Sequence, residues 1–401
     1  MAKEPLAEDD EAAIERWAHQ VIADAAEVRA SDLHLDPRMD GVRLRFRIDG
    51  AMHDVLSWPH EIGLRILRYF KVHAGFDPAP SRSPEDGRVH FELDGRAVDL
   101  RIACGPCVGG DKLTMRLHRR SPVTLRLKEL GMPKEQRQIV EGWLEAVSGM
   151  FVVAGPVGSG KTTTLYAMLA ELELAERHIV TIEDPVEYHL DSVNQFEINR
   201  GSGMDFDSTL RAVFRHDPDF LLFGEIRDHE TARAAMEAAG SGRVVLTTMH
   251  SRSTASTVTT LRSLGIGDHE IAASLAFVVA QRLVRRLCPK CRKAGAPTET
   301  ERRWLKDVDR PVPEQAWHPQ GCDECDGTGY RERTGLFEVV PIQQKIYDQI
   351  LDGADEQTLR RGLREFQAGT MIDAGLAKAV EGITTIRELT RLGMQGHGRN
   401  A

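Results

Sequence analysis

No apolar stretch of this chain reaches the roughly 18 residues that a membrane-crossing helix needs, so a conventional bilayer span is excluded. A basic excess is missing too. Lys and Arg total 52 against 61 Asp and Glu, a formal charge of −9, whereas proteins that coat nucleic acid carry the opposite balance or a strong basic face. The opening MAKEPLAEDDEAA is polar and acidic, without the basic-then-apolar build of a secretory leader, so a cytoplasmic protein is expected. Internal repeats and low-complexity tracts are absent. Cysteine is scarce, and its 6 copies fall into Cys-x-x-Cys pairs, which in a reducing compartment point to metal or redox chemistry rather than structural disulfides. What remains is an ordinary soluble composition, 41% apolar and 28% charged over 401 residues, enough for roughly two to three domains with their own cores.

The most informative stretch is FVVAGPVGSGKTTTLY, from Phe151 to Tyr166. It reads as a buried strand, a turn Gly155-Pro156-Val157-Gly158-Ser159-Gly160, and a helix opening at Lys161-Thr162-Thr163. This is the G-x-x-x-x-G-K-T spacing of a phosphate-binding loop. Glycines let backbone N–H groups wrap a phosphate, the helix N-terminus adds positive potential, Lys161 reaches the β- and γ-phosphates, and the Thr162 hydroxyl ligates Mg²⁺. An ordinary glycine-rich turn between strand and helix is the competing reading.

Before this stretch, Ile14, Trp17, Ala18, Val21, Ile22 and Ala25 recur at helical spacing. Ser31 to Pro37 and Val42 to Gly50 alternate with period two and form a hairpin through Arg38 to Gly41. A helix follows from Pro59 to Gly75, then a second hairpin of Val89–Leu93 and Val98–Ile102 around Asp94-Gly95, and a strand at Leu113–Leu117. Pro122 to Leu130 is a connector and Lys134 to Val147 a helix. Beyond the loop, strands and helices alternate, as in an α/β core. The strands Ile179–Ile182, Phe220–Phe223 and Val244–Thr248 each end in polar residues, where a parallel sheet places its active site. Toward the end, Glu356–Ala368 and Thr385–Leu392 are the clearest helices. The expected divisions are an N-terminal helix (1–30), an α+β domain (31–120), a linker (121–133), the core (134–287), a cysteine segment (288–340) and a helical region (341–401).

Phosphoryl transfer to water needs a metal, a residue that positions the water, and cations that neutralise developing charge. Glu225, after the strand FLLF, is the expected water-positioning carboxylate. Gly224 occupies the preceding position, where many such proteins carry Asp. Metal coordination is therefore expected from Thr162, the phosphates and water, with Glu183 nearby. Roles among Glu183, Asp184 and Glu187 are not separable from sequence. His250 is either a sensor of the γ-phosphate or a loop histidine, and both readings stay open.

Cys288-x-x-Cys291 and Cys322-x-x-Cys325, about thirty residues apart, supply four thiolates for a tetrahedral structural Zn²⁺. Cys104-Gly105-Pro106-Cys107 matches the thioredoxin motif by letter. That chemistry needs the first Cys at a helix N-terminus, whereas Val108-Gly109-Gly110-Asp111 reads as a turn between strands, so small buried side chains are expected. A basic cluster at Arg282, Arg285, Arg286, Lys290, Arg292 and Lys293 is either a solvated face or a surface for anionic lipid or an acidic partner loop.

Taken together, the motifs resemble the secretion and type IV pilus assembly ATPases, the GspE/PilB group of type II/IV secretion NTPases. The resemblance runs from Ala30 to about Leu392. It rests on ASDLHLDP, VRLRFRIDG, RSPEDGR and the phosphate loop, on IVTIEDPVEY as an Asp box, and on LRAVFRHDPDFLLFGEIRDHETA as a Walker B region. VVLTTMH resembles its His box, and QRLVRRLCPKC with GCDECDGTGYRERTG its tetracysteine zinc segment. It implies an α/β fold, a RecA-like P-loop NTPase core preceded by a smaller α+β (PAS-like) domain, with a zinc-binding segment and C-terminal helices. It also implies ATP, Mg²⁺ and Zn²⁺ as cofactors, a homohexameric ring, an inner-membrane platform protein as partner, and peripheral membrane association without direct nucleic-acid contact. Arg101 and Arg116, in VDLRIA and KLTMRL, resemble the family's activating arginines.

Departures from the family pattern are Arg243 for a histidine, Thr260 for an arginine, and Gly110-Asp111 for a Gly-Glu pair. Assembly members usually carry a further N-terminal docking domain, where here about thirty residues precede Ser31, so the mode of recruitment stays open. The function implied is a motor that hydrolyses ATP to assemble pilin-like subunits for secretion or pilus biogenesis. The alternatives are a weakly active nucleotide-binding subunit of such a machine and the motor of a DNA-uptake pseudopilus.

Overall fold

Period-two alternation in the first third and unbroken apolar runs in the middle produce two different sheets. The structure, a computed structural model, describes residues 11–93, 96–118, 125–145, 148–172, 177–191, 193–198, 205–364 and 370–393. The expected turn at Asp94-Gly95, the ends of the helices drawn to Val147 and Ala368, and the first part of the connector from Pro122 lie outside these residues. The chain divides into compact units at 1–122 and 123–401.

The first unit contains α1 (Glu11–Glu27), β1 (Ala30–Arg38), β2 (Gly41–Ile48), β3 (Ala51–Trp58), α2 (His60–His73), β4 (Glu85–Leu93), β5 (Arg96–Cys107) and β6 (Gly110–His118). The strands form a 6-stranded antiparallel sheet in the order β3-β2-β1-β6-β5-β4. Alternation sorts its side chains. Leu33, Leu35, Leu44, Phe46, Ile102 and Met115 are buried with Ile22, Ile66 and Phe70 of the helices in one core. The opposite parity carries charge: Asp32 and Asp36 on β1 lie between arginines of β2 and the Lys112 to Arg116 segment of β6. Strand β3 is not legible in the sequence, where His53, Asp54 and Ser57 blur its alternation.

The second unit runs through α3 (Lys134–Leu144), β7 (Gly149–Ala154), α4 (Lys161–Leu169), β8 (Ile179–Glu183), β9 (Asn194–Glu197), α5 (Phe206–Val213), β10 (Phe220–Phe223), α6 (His229–Gly240), β11 (Val244–Met249), α7 (Thr254–Ser263) and α8 (Asp268–Ser274). It continues through β12 (Leu275–Leu287), β13 (Lys293–Gly295), α9 (Glu299–Asp307), β14 (Ala316–His318), β15 (Tyr330–Pro341), α10 (Gln344–Leu351), α11 (Glu356–Arg364), α12 (Met371–Val380) and α13 (Ile386–Arg391). Seven strands form one sheet, ordered β15-β12-β7-β11-β10-β8-β9, parallel except where β15 meets β12. Every residue of β7 is buried because both faces are covered. Met150, Val152 and Ala154 enter one core, and Phe151 and Val153 the other with Leu165 and Tyr166 of α4. Among the described residues no helix is long and apolar enough to cross a membrane.

Candidate functional site

Parallel strands β7, β10 and β11 are neighbours in the sheet, so the polar residues that follow them converge at its C-terminal edge. After Ala154 the backbone turns tightly. Gly158 and Gly160 take φ of +75° and +85°, where an L side chain is strained. A Cβ on Gly155 would come within 2.4 Å of Ser159 Oγ and 2.7 Å of the Gln281 carbonyl, so the loop is shaped around a missing side chain. Pro156 follows, Val157 stands at the tip, 77% exposed, and Thr162 and Thr163 lie in the first turn of α4.

Lys161 is buried, and its ammonium donates to the carbonyls of Gly155 (3.0 Å) and Pro156 (3.3 Å). Burial holds its pKa below the usual lysine range. The same ammonium lies 3.2 Å from His250 Nδ1. The Gly155 carbonyl lies 3.3 Å from that same Nδ1, and Nε2 on the other side of the ring is 2.5 Å from Glu225 Oε1. The other carboxylate oxygen, Oε2, accepts from Arg227 Nε and Nη2, both at 2.7 Å. Lys161, His250 and Glu225 thus meet at the edge of the sheet, and both readings of His250 stay open.

Glu183 ends β8, beside Gly224, yet its carboxylate is committed elsewhere. It accepts from Tyr166 of α4, from Thr181 (2.7 Å) and from Gln195 (3.2 Å). Burial raises its pKa despite those three donors. Gly224 stands beside Glu183, where an added Cβ would make only ordinary contact at 3.4 Å, so packing alone does not require glycine there, and its carbonyl accepts from Thr248 (2.8 Å).

Arg101 and Arg116 belong to the first unit. They face each other across β5 and β6, with Arg88 opposite Arg101 on the far side. Both are exposed, and Arg116 is steadied by Asp32, 3.0 Å from its Nε. Like charges set opposite one another in a sheet repel, so this row is costly unless an anion offsets it.

The cysteines meet as expected. Sulfurs of Cys288 and Cys322, and of Cys291 and Cys325, are 3.8 Å apart, and those of Cys322 and Cys325 are 3.7 Å apart. A tetrahedron of thiolates at the usual Zn–S distance of about 2.3 Å has edges of about 3.8 Å, whereas a disulfide needs about 2.05 Å. The donor set therefore fits Zn²⁺ with every position filled by sulfur.

Cys104 and Cys107 both lie on β5, away from any helix N-terminus, so the thioredoxin reading fails. Cys104 is buried, but Cys107, expected buried, is exposed because it ends the strand. The basic cluster is largely neutralised. Arg285 makes a bidentate pair with Glu388 and stacks over Tyr330, Lys290 pairs with Glu324 (2.6 Å), and Arg292 lies over Trp317.

The departures from the family pattern have local roles. Arg243 precedes β11, at the opposite end from His250, and bonds Ser241 (2.7 Å). Thr260 caps back onto the Ser256 carbonyl, and Asp111 pairs with the buried Lys71 at 2.6 Å. Sequence reasoning assigned no role to Gln281, Arg227 or Tyr166, although each lies within a stretch that carries the family resemblance.

Residues 7–391 match the protein family described as Type II/IV secretion system protein. Type II secretion system protein E of Aeromonas hydrophila is 38% identical over 384 residues, 96% of this chain and 76% of that relative. Type IV pilus assembly ATPase PilB of Pseudomonas aeruginosa is 36% identical over 388 residues, 96% of this chain and 68% of that relative. Among solved structures, the Legionella pneumophila ATPase DotB is similar with a TM-score of 0.69 at 20% identity, covering 98% of this chain and 99% of that one. The pilus retraction motor PilT with bound ADP gives 0.61 at 22% identity, covering 93% and 96%. At these identities the structural likenesses bear on the fold alone.

Proposed function

This chain belongs to the type II/IV secretion system protein family, and on that premise we propose that it is an ATPase motor whose turnover drives assembly of pilin-like subunits in type II secretion or type IV pilus biogenesis. The convergence of Lys161, His250 and Glu225 at the mouth of the glycine loop is the observation that carries this reading. ATP phosphates replace the two carbonyls that hold the Lys161 ammonium, exchanging neutral acceptors for charged ones. Backbone from Gly155 to Gly160, with Thr163, cradles the phosphates, and Mg²⁺ held by the Thr162 hydroxyl supplies charge neutralisation. Glu225 aims the attacking water, and His250, paired with that carboxylate, turns to read the terminal phosphate. Glu183 serves a supporting part rather than the metal-side part expected from sequence: through Tyr166 it fixes the helix that begins at Lys161. Arg101 and Arg116 neutralise the γ-phosphate in the transition state.

We further propose one structural Zn²⁺ per subunit on Cys288, Cys291, Cys322 and Cys325, a homohexameric ring, a cytoplasmic location peripheral to the inner membrane, and an inner-membrane platform protein as the partner that receives the work. Steady-state ATP hydrolysis tests the core of this. Glu225→Gln is expected to lower kcat by about 100- to 1,000-fold. Equal rates for that variant and the wild type would overturn the assignment.

A further inference from the structure

Strand β12 carries a polar pair, Gln281-Arg282, in an otherwise largely apolar strand, LAFVVAQRLVRRL. Gln281 is 2% exposed, and a buried amide is costly unless both ends are paired. Its partners all come from the phosphate loop and the helix it opens. Nε2 donates to the Ser159 carbonyl (2.8 Å), and Oε1 accepts from Thr164 Oγ1 (2.7 Å). The carbonyl of the same residue, together with Ser159 Oγ, leaves no room for a side chain at Gly155, and a Cβ at Gly160 would meet Nε2 at 3.0 Å. A single residue, over a hundred positions away, therefore holds the last part of the loop against the first turn of α4.

The neighbour completes the grip. Arg282 Nη1 donates to the Gln281 carbonyl (2.8 Å), and Nη2 donates to the carbonyl of Arg252 (3.0 Å), in the segment that leads away from His250. One strand thus ties the loop that carries Lys161 to the segment that carries His250.

We propose that Gln281 is a positioning residue of the nucleotide site, holding the phosphate loop in its receiving shape before the nucleotide arrives, with Arg282 setting the His250 segment against it. The proposal rests on the reading that the Gly155–Thr163 stretch binds nucleotide phosphates. A loop held in place loses less freedom on binding, so releasing it costs affinity rather than chemistry. The loop wraps the α- and β-phosphates, so ADP and ATP feel the loss alike.

The test uses the full chain with Mg²⁺, measuring Kd for ADP and for ATP by calorimetry, kcat at saturating ATP, and melting temperature. Gln281→Met keeps the length and removes both bonds. It is expected to weaken ADP and ATP equally, by about tenfold, while kcat stays within about threefold. Gln281→Glu keeps an acceptor for Thr164 but sets a carboxylate oxygen against the Ser159 carbonyl, so neither affinity nor melting temperature is expected to recover. Should Gln281→Met fail to fold, Thr164→Val removes one of the two bonds, with an expected weakening of about threefold. Unchanged ADP affinity in these variants, or a fall in kcat with affinity intact, would overturn the proposal while leaving the nucleotide reading standing. A wild-type chain that binds no ADP would overturn both.

Discussion

The phosphate loop and the cysteine cluster lie at two points along β12, Gln281 in its middle and Cys288 just past its end, and they are built on different plans. In the site both charged groups already have protein partners: Lys161 rests on two carbonyls, which phosphate oxygens can replace, and Glu225 on His250 and Arg227. At the cysteines, four sulfurs are gathered within 4.8 Å of one another, with backbone N–H groups of Cys322 and Gly329 aimed at Cys325 Sγ (3.2 and 3.1 Å). That arrangement suits a permanently bound cation and offers no open position for substrate. The first site is organised to exchange its ligand, the second to keep one.

Separating the two is the strongest way to sharpen this contrast. Lys161→Ala is expected to weaken ATP binding more than about 100-fold in a fluorescent-nucleotide titration, with zinc content and melting temperature unchanged. Loss of zinc in that variant would break the contrast. Next in size, Cys325→Ser should abolish stoichiometric zinc in a metal analysis and lower the melting temperature by on the order of 10 °C.

Glu183→Gln probes the buried side of the exchangeable site. It keeps an acceptor for Tyr166 and disturbs the other bonds, so a destabilisation of about 1–3 kcal/mol in urea melts is expected, with a smaller loss of rate than Glu225→Gln gives. Its pH dependence has a sign. Burial raises the folded pKa of Glu183 above the usual 4.5, so its contribution to stability is full below that value and is lost as pH rises through the elevated one. The penalty of the substitution should therefore be larger near about pH 5 than near about pH 8. The smallest effect belongs to Arg227→Ala. Its side chain is 66% exposed, and such pairs contribute about 0.2–1 kcal/mol, so kcat should change by less than about fivefold.

Both sites were legible in the sequence for the same reason: their chemistry imposes residue types at fixed local spacing. A glycine loop ending in Lys161-Thr162 and paired Cys-x-x-Cys knuckles are readable without a fold. Glu225 and His250 were found because each follows a short apolar strand. Gln281 left no such trace, since its partners Ser159 and Thr164 lie 122 and 117 residues away. The commitment of Glu183 to Tyr166 was equally hidden, because strand and helix meet only once the sheet is assembled. Strand β15 also escaped: YRERTGLFEVVP begins with charges, and its antiparallel pairing with β12 appears only in the register Arg285 to Arg333 through Phe277 to Pro341. In the basic cluster, composition left open a solvated face or a surface for an anionic partner, and the structure uses three of the six cations, Arg285, Lys290 and Arg292, as struts to Glu388, Glu324 and Trp317.

The account stands or falls on Glu225 setting the rate at which a bound nucleotide is turned over. The direct measurement is the identity of the nucleotide that stays with the Glu225→Gln protein after incubation with MgATP and rapid gel filtration. Intact ATP, retained at near-stoichiometric occupancy while the wild type yields ADP, is the predicted result. Recovery of ADP from the variant at the wild-type rate, or of no nucleotide from either protein, would contradict it.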